Sequence, residues 1–150
     1  MTKVLFVCLG NICRSPSAEA VFRALSHQEG LDVTIDSAGT ADWHTGKPPY
    51  EPMQEAASPR GYQLKSLKAR QVRPQDFHNF DLIIGMDAQN MADLKEIEPN
   101  TSTATLALFT DFGEPRMTEV PDPYYTRDFQ GALDLIETCS NGLIQHLKSQ

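Results

Sequence analysis

Val4-Leu5-Phe6-Val7-Cys8-Leu9-Gly10-Asn11-Ile12-Cys13-Arg14-Ser15-Pro16 passes from an apolar run, through a small-residue turn, to a proline that can open a helix. The run Thr2 to Val7 is β-branched, aromatic and nearly all apolar, which predicts a strand in a sheet covered on both faces. Beyond it, Ala18, Val21, Phe22 and Leu25 recur at helical spacing. Ser15 is placed to cap that helix, with Pro16 at its first position and Gly30 at its end. The five residues between Cys8 and Arg14 are therefore pinned between a strand end and a helix start. They can wrap into a bowl whose backbone N–H groups point inward, an anion site reinforced by the helix N-terminus. Gly10 and Asn11 are types that accept the positive φ so tight a loop needs.

The same alternation continues outward. Val33 to Ser37 reads as a second strand and Ala38 to Pro52, rich in Gly, Pro and polar residues, as a loop. Met53 to Arg60 predicts a helix before Gly61. Leu82-Ile83-Ile84, within Asp81 to Met86, is a third strand, and Asp87 can cap a helix bearing Met91, Leu94 and Ile97. Thr103 to Leu108 is a fourth strand. Phe129, Leu133, Ile136, Leu143 and Leu147 mark a final helix in which Ser140 is the one polar break. Strands alternating with helices predict an α/β fold: a single three-layer domain over 1–150, a four-stranded parallel sheet with helices on both faces. Such sheets bind ligands beyond the carboxyl ends of their strands, where Cys8, Ser37, Asp87 and Leu108 fall.

Composition bounds the function. The chain has 150 residues, with 13 Lys and Arg against 20 Asp and Glu, a net charge of -7. That balance argues against a nucleic-acid or anionic-membrane partner, while leaving room for a local phosphate site. No apolar stretch approaches the ~18 residues of a membrane span. Lys3 and Ala18-Glu19-Ala20 imitate a signal peptide only faintly, and Pro16 and the short apolar run argue against one. A soluble, cytoplasmic protein is expected. Three cysteines, Cys8, Cys13 and Cys139, make no disulfide framework. His27, His44, His78 and His146 are scattered, without metal-ligand spacing; they are assigned to the surface, and no metal or cofactor is expected. Lys65 to Arg70 reads as a solvated basic turn. No Gly-Lys-Ser/Thr follows the first strand, which disfavours nucleotide hydrolysis.

Cys8 alone reads more readily as a buried core cysteine, and Arg14 alone as a surface charge. Together with the intervening loop and the helix they read as a nucleophile and its phosphate clamp. A sulfur at the floor of a bowl of donors is favoured as thiolate. Ser15 can donate to it, and the planar fork of Arg14 can grip two phosphate oxygens. A phosphocysteine mechanism also needs an acid. Asp122, in Val120-Pro121-Asp122-Pro123-Tyr124-Tyr125, is held extended between prolines and can protonate a leaving phenol. A turn aspartate is the plainer alternative. Tyr124 and Tyr125 line a slot or cover the sheet. Trp43, the one tryptophan, stacks on substrate or anchors its loop.

These stretches, with Asp36-Ser37-Ala38-Gly39-Thr40, Asp42-Trp43, Ala69-Arg70-Gln71, Met86-Asp87 and Asn90, occur in the order found in the low-molecular-weight protein tyrosine phosphatases, which the whole chain resembles. The resemblance implies Cys8 as nucleophile, Arg14 as transition-state clamp and Asp122 as general acid/base. It implies a phosphate loop of Leu9, Gly10, Asn11, Ile12 and Cys13, held by a network of Asn11, Ser15 and Ser37. It implies Trp43 and Tyr124 as walls of a slot deep enough for phosphotyrosine and too deep for phosphoserine. It further implies a reversible Cys8–Cys13 disulfide under oxidation and a phosphotyrosine protein as substrate. The loop and Arg14 supply the positive field, so no metal is needed; the oligomeric state is left open, with a monomer expected. Family members often carry histidine where Leu67 stands, tied to the loop asparagine, so Asn11 is expected to lose a partner. Two neighbouring readings compete. Protein arginine phosphatases typically carry threonine where Ile12 stands. Thioredoxin-linked arsenate reductases need further cysteines, and Leu82 to Leu94 has none.

Overall fold

The opening apolar run is strand β1 (Thr2–Cys8), an inner strand of a four-stranded sheet. The computed structural model describes residues 2–113 and 117–150. On one side of β1 lies β2 (Val33–Gly39), on the other β3 (Leu82–Gly85), and β4 (Thr105–Leu108) pairs with β3. All pairings are parallel, in the order β2-β1-β3-β4. The register sets Cys8 beside Gly39 and Val7 beside Gly85, so three strand ends finish nearly level. The chain leaves β1 in one direction to make β2, then returns past it to make β3. The connections thus diverge above the end of β1, and a crevice opens there.

β1 is buried on both faces because successive side chains point opposite ways. Val4, Phe6 and Cys8 join one core with Ala18, Val21 and Phe22 of α1 (Arg14–Gln28) and Leu133, Ile136 and Leu143 of α6 (Phe129–Lys148). Phe6 packs its ring 5.5 Å from Phe22 and 5.2 Å from Phe109, in edge-on and tilted arrangements. Leu5 and Val7 enter a second core with Phe77 of α3 (Asp76–Asn79), Ile83, and Leu94 of α4 (Ala88–Ile97). Helices therefore cover both faces, as the alternating pattern requires. Met53 and Ala57 of α2 (Glu51–Ala57) add to the first core, and that helix runs on as a 3-10 turn, Ser58–Arg60. Among the described residues, no helix is long and apolar enough to cross a membrane.

Several boundaries differ from the sequence reading, each for a local reason. α1 begins at Arg14, one turn-position earlier than expected, with Cys13 before it and no side-chain cap. Ser15 is not the cap because its hydroxyl is engaged by the loop. Pro16 is then the third helical residue, harmless where N–H groups have no intrahelical acceptor. Gly30, at φ 67, does end the helix. β2 continues two residues past Ser37, through Ala38 to Gly39. Gly39 is required there: a Cβ would sit 2.8 Å from the carbonyl of Leu9. β4 starts at Thr105 because Thr103 and Ala104 give their N–H groups to Phe77 O instead of the sheet. The short helices α3 and α5 (Pro123–Thr126) were not anticipated, since four residues are too few to show a period.

Candidate active site

The loop after β1 closes over the sulfur of Cys8, which is 3% exposed. Asn11 stands in the left-handed region at φ 56. That conformation turns its backbone N–H onto Cys8 Sγ, at 3.3 Å. Ser15 Oγ lies 3.0 Å from the same sulfur. Ser15 Oγ also accepts from Asn11 Nδ2 at 2.7 Å, which leaves its own proton to face the sulfur and, at a longer 3.4 Å, the Ala38 carbonyl. A thiolate here would have two donors, one from backbone and one from a hydroxyl.

The network is fully directed. Asn11 Nδ2 donates its second proton to Ser37 Oγ at 3.0 Å, and Ser37 donates onward to Glu19 Oε1 at 2.7 Å. Glu19 is 5% exposed, and its other oxygen pairs with Arg23 at 2.9 Å. Asn11 Oδ1 accepts the backbone N–H of Arg70 at 3.0 Å. Asn11 therefore uses its acceptor and both side-chain donors, and the expected loss of a partner at Leu67 does not occur. Leu67 packs, half-buried, against the main core, and a backbone N–H from the neighbouring segment does the bonding. That segment is not simply a solvated turn. Lys65 and Lys68 are exposed, but Arg70 sets its fork on Asp76, with Nη1–Oδ2 3.0 Å and Nη2–Oδ1 3.1 Å, and its Nε on Asp36 at 3.2 Å.

Arg14 emerges at the first turn of α1 and is 3% exposed. Nη1 donates to Asp87 Oδ2 at 2.7 Å and to the carbonyl of Val120 at 3.0 Å. Nη2 lies 3.5 Å from Asp122 Oδ2, a long contact. Nε is buried and has no protein acceptor among the described residues, an N–H left available to a phosphate oxygen. Burial alone would lower the pKa of Arg14, but the charge of Cys8, the Asp87 hydrogen bond and Asp122 outweigh it and hold the guanidinium charged. Asp87 also caps α4, accepting the Asn90 N–H at 2.7 Å. The Arg14–Asp87 pair thus spans the crevice between the loops after β1 and β3.

Asp122 is extended, at φ -82 and ψ 108, as its flanking prolines predict. Its Oδ1 accepts the Tyr124 N–H at 3.1 Å and caps α5. Cys13 points to the same space but remains a thiol. Burial, then the charges of Cys8 and Asp122, push its pKa up to about 12. These groups line a cleft of about 160 Å³ that includes Cys8, Leu9, Gly10, Ile12, Cys13, Arg14 and Asp122 at its base and Trp43, His44, Tyr124 and Tyr125 at its walls. Trp43 is 64% exposed, Tyr124 42% and Tyr125 70%. The tyrosines therefore stand free as walls and do not cover the sheet, and Trp43 is no buried anchor.

A comparison of the whole sequence with known families matches residues 3–150 to the low molecular weight phosphotyrosine protein phosphatases. The chain belongs to this family. The low molecular weight protein-tyrosine-phosphatase YfkJ of Bacillus subtilis is 42% identical to the phosphatase over 153 aligned positions, covering 100% of this chain and 98% of that one. A crystal structure of a protein tyrosine phosphatase from Entamoeba histolytica, with Hepes in its active site, superposes with a TM-score of 0.93 at 39% identity, covering 99% and 98% of the two chains. A Drosophila arginine phosphatase superposes with a TM-score of 0.93 at 32% identity, covering 99% of each.

Of the residues expected from sequence, Cys8, Leu9, Gly10, Ile12, Cys13, Arg14, Asp122, Trp43, Tyr124 and Tyr125 line the cleft, Asn11, Ser15 and Ser37 form the network behind the loop, and four further residues join them. Glu19 closes the loop network; its sign in the sequence was a carboxylate four residues after Ser15, beside an apolar stripe. Asp87, placed at a strand end but read only as a cap, anchors Arg14. Arg70 presents its N–H to Asn11. His44, assigned to the surface, is half-buried against Gly10 in the cleft wall, where a Cβ on that glycine would meet its ring at 3.0 Å. A lone histidine in a polar loop carries no mark of that position.

Proposed function

We propose that the phosphatase hydrolyses phosphotyrosine in proteins through a phosphocysteine on Cys8. The observation that carries this is the convergence of Cys8 and Arg14, the two ends of one loop, with Asp122 of a distant segment, on one cleft walled by aromatic rings. In the first half-reaction the Cys8 thiolate attacks phosphorus in line; the S–P bond forms as the P–O bond to the phenol breaks. Asp122 gives its proton to the departing oxygen. Arg14 and the inward N–H groups of the loop take the charge on the equatorial oxygens. In the second, water loses its proton to Asp122 and attacks phosphorus. The S–P bond breaks, and the Asn11 N–H and Ser15 hydroxyl stabilise the leaving thiolate.

Trp43, Tyr124 and the bulk of Ile12 favour a flat aryl phosphate reached at the end of a long side chain. Cys8 and Cys13, both buried free thiols of one loop, suit a reversible disulfide that shields Cys8 from over-oxidation, and reduced thiols suit the cytoplasm. The second reading, phosphoarginine, is favoured by the likeness to the Drosophila arginine phosphatase. The test is phosphate release from phosphotyrosine, phosphoserine and phosphoarginine peptides, side by side with EDTA present. Fast turnover of phosphotyrosine alone is expected; preference for phosphoarginine would overturn the assignment.

A further inference from the structure

We propose that Arg127 forms a second, anion-reading subsite beside the cleft, selecting phosphotyrosine peptides with an acidic side chain near the phosphorylated residue; this rests on the phosphotyrosine reading above. Arg127 follows α5 in the left-handed region, at φ 63. Only glycine and, less readily, asparagine or aspartate take that conformation at little cost, so an arginine there needs holding. It is held by its side chain. Nη1 donates to the Tyr50 hydroxyl at 2.9 Å, and the guanidinium lies 5.4 Å from the Tyr50 ring centroid and 5.2 Å from that of Phe129. The head group is therefore fixed before any ligand arrives.

Its location ties it to the substrate slot. The Tyr50 ring packs 5.1 Å from Tyr124, a slot wall, and the Tyr50 N–H donates to the carbonyl of Ile12 in the phosphate loop at 2.8 Å. The Arg127 charge also reaches the loop, acting on the Cys13 thiol. Yet Arg127 is exposed, and among the described residues no carboxylate lies within ion-pair distance of it. Its neighbour Asp128 is committed to the Gly131 N–H, at 2.9 Å, capping α6. A fixed guanidinium with donors to spare and, among the described residues, no anionic partner is built for a carboxylate, which it can meet with two parallel hydrogen bonds. The net charge of -7 repels acidic peptides at long range, so a local cation is what decides whether they are accepted.

The test uses the whole protein and a set of phosphotyrosine peptides in which one glutamate moves from three positions before the phosphotyrosine to three after, against an all-alanine parent. In the wild type, glutamate at one or more positions should raise kcat/KM by about threefold to fivefold, an advantage that fades with added salt. Arg127→Gln should bring that ratio to one, the change residing in KM, while Arg127→Lys keeps part of it. No advantage at any position, or an advantage that survives Arg127→Gln, would overturn the subsite. So would an equal loss for glutamate and alanine peptides, which would make Arg127 a brace for Tyr50. Turnover of the alanine peptide by the wild type reports separately on the phosphotyrosine assignment. Its absence sinks both proposals; a normal rate with a ratio of one sinks only the subsite.

Discussion

Arg14 is held by the fold with one part of its fork and left open with another. Asp87 and Val120 take Nη1, while Nε has no acceptor. The sequence made Arg14 legible, because its distance from Cys8 matches a closed loop. It did not make Asp87 legible as the anchor, since nothing in one chain says which strand ends face each other. Asp87→Asn separates the anchor from the cap, because asparagine can still accept the Asn90 N–H. Losing a charged hydrogen-bond partner should cost about 1.5–3 kcal/mol and lower Tm by several degrees. Inorganic phosphate should restore more stability to the variant than to the wild type, because the anion supplies the missing negative charge. Thermal melts with and without phosphate check this; equal responses would show that Asp87 does not hold Arg14 through charge. Asp122→Asn should lower kcat by about 10²–10⁴-fold for aryl phosphates with poor leaving groups and much less for good ones. Equal slowing across leaving groups would remove Asp122 as the acid. Cys8→Ser should fold and have no turnover.

At the scale of elements, β1, the loop and α1 were readable because each carries its own pattern: an apolar run, positive-φ residue types, a helical stripe. What was not readable is what crosses between elements. The expectation that Leu67 deprives Asn11 of a partner failed because the acceptor is met by a backbone N–H, and backbone bonds leave no trace in side-chain identity. Ser15 was misread as a helix cap for the converse reason: a hydroxyl in that position serves either the helix or the sulfur, and the loop geometry decides. Asn11→Gly tests the network without disturbing the backbone, because glycine keeps the left-handed φ. It removes three hydrogen bonds, to Ser15, Ser37 and the Arg70 N–H. Stability should fall by about 2–4 kcal/mol, and kcat/KM by about tenfold or more, since a loosened loop misplaces donors aimed at the transition state. A lowered Tm with unchanged kinetics would confine the network to stability.

For the whole molecule, the core between the sheet and helices α1 and α6 holds groups that resist ionisation. Cys139 is 0% exposed on α6, and burial pushes its pKa from 9.0 up to about 12. Between those values the folded protein keeps a proton that the unfolded chain has lost. Stability contributed by this thiol is complete below the lower value and drains away as pH rises through the window. Cys13 behaves the same way. Cys139→Ala should therefore flatten the alkaline fall in Tm while lowering stability at neutral pH by about 1 kcal/mol. Melts across that window check it; an unchanged alkaline slope would rule out this thiol as a contributor. The three-layer plan was legible as a whole because strand and helix periods alternate. The level ends of β1, β2 and β3, which bring the loops together, depend on a register that only the folded sheet displays.

The aromatic wall has one optical consequence. Trp43 is the chain's single tryptophan and stands 64% exposed at the mouth of the cleft. Under red-edge excitation the protein's emission comes from that one indole, in contact with water. An aryl phosphate bound against it, as the phosphotyrosine proposal expects, should replace water with a ring and shift the emission to shorter wavelength. The unlabelled protein is thus its own fluorimetric probe, and a titration of the non-hydrolysing Cys8→Ser variant reads occupancy directly from colour.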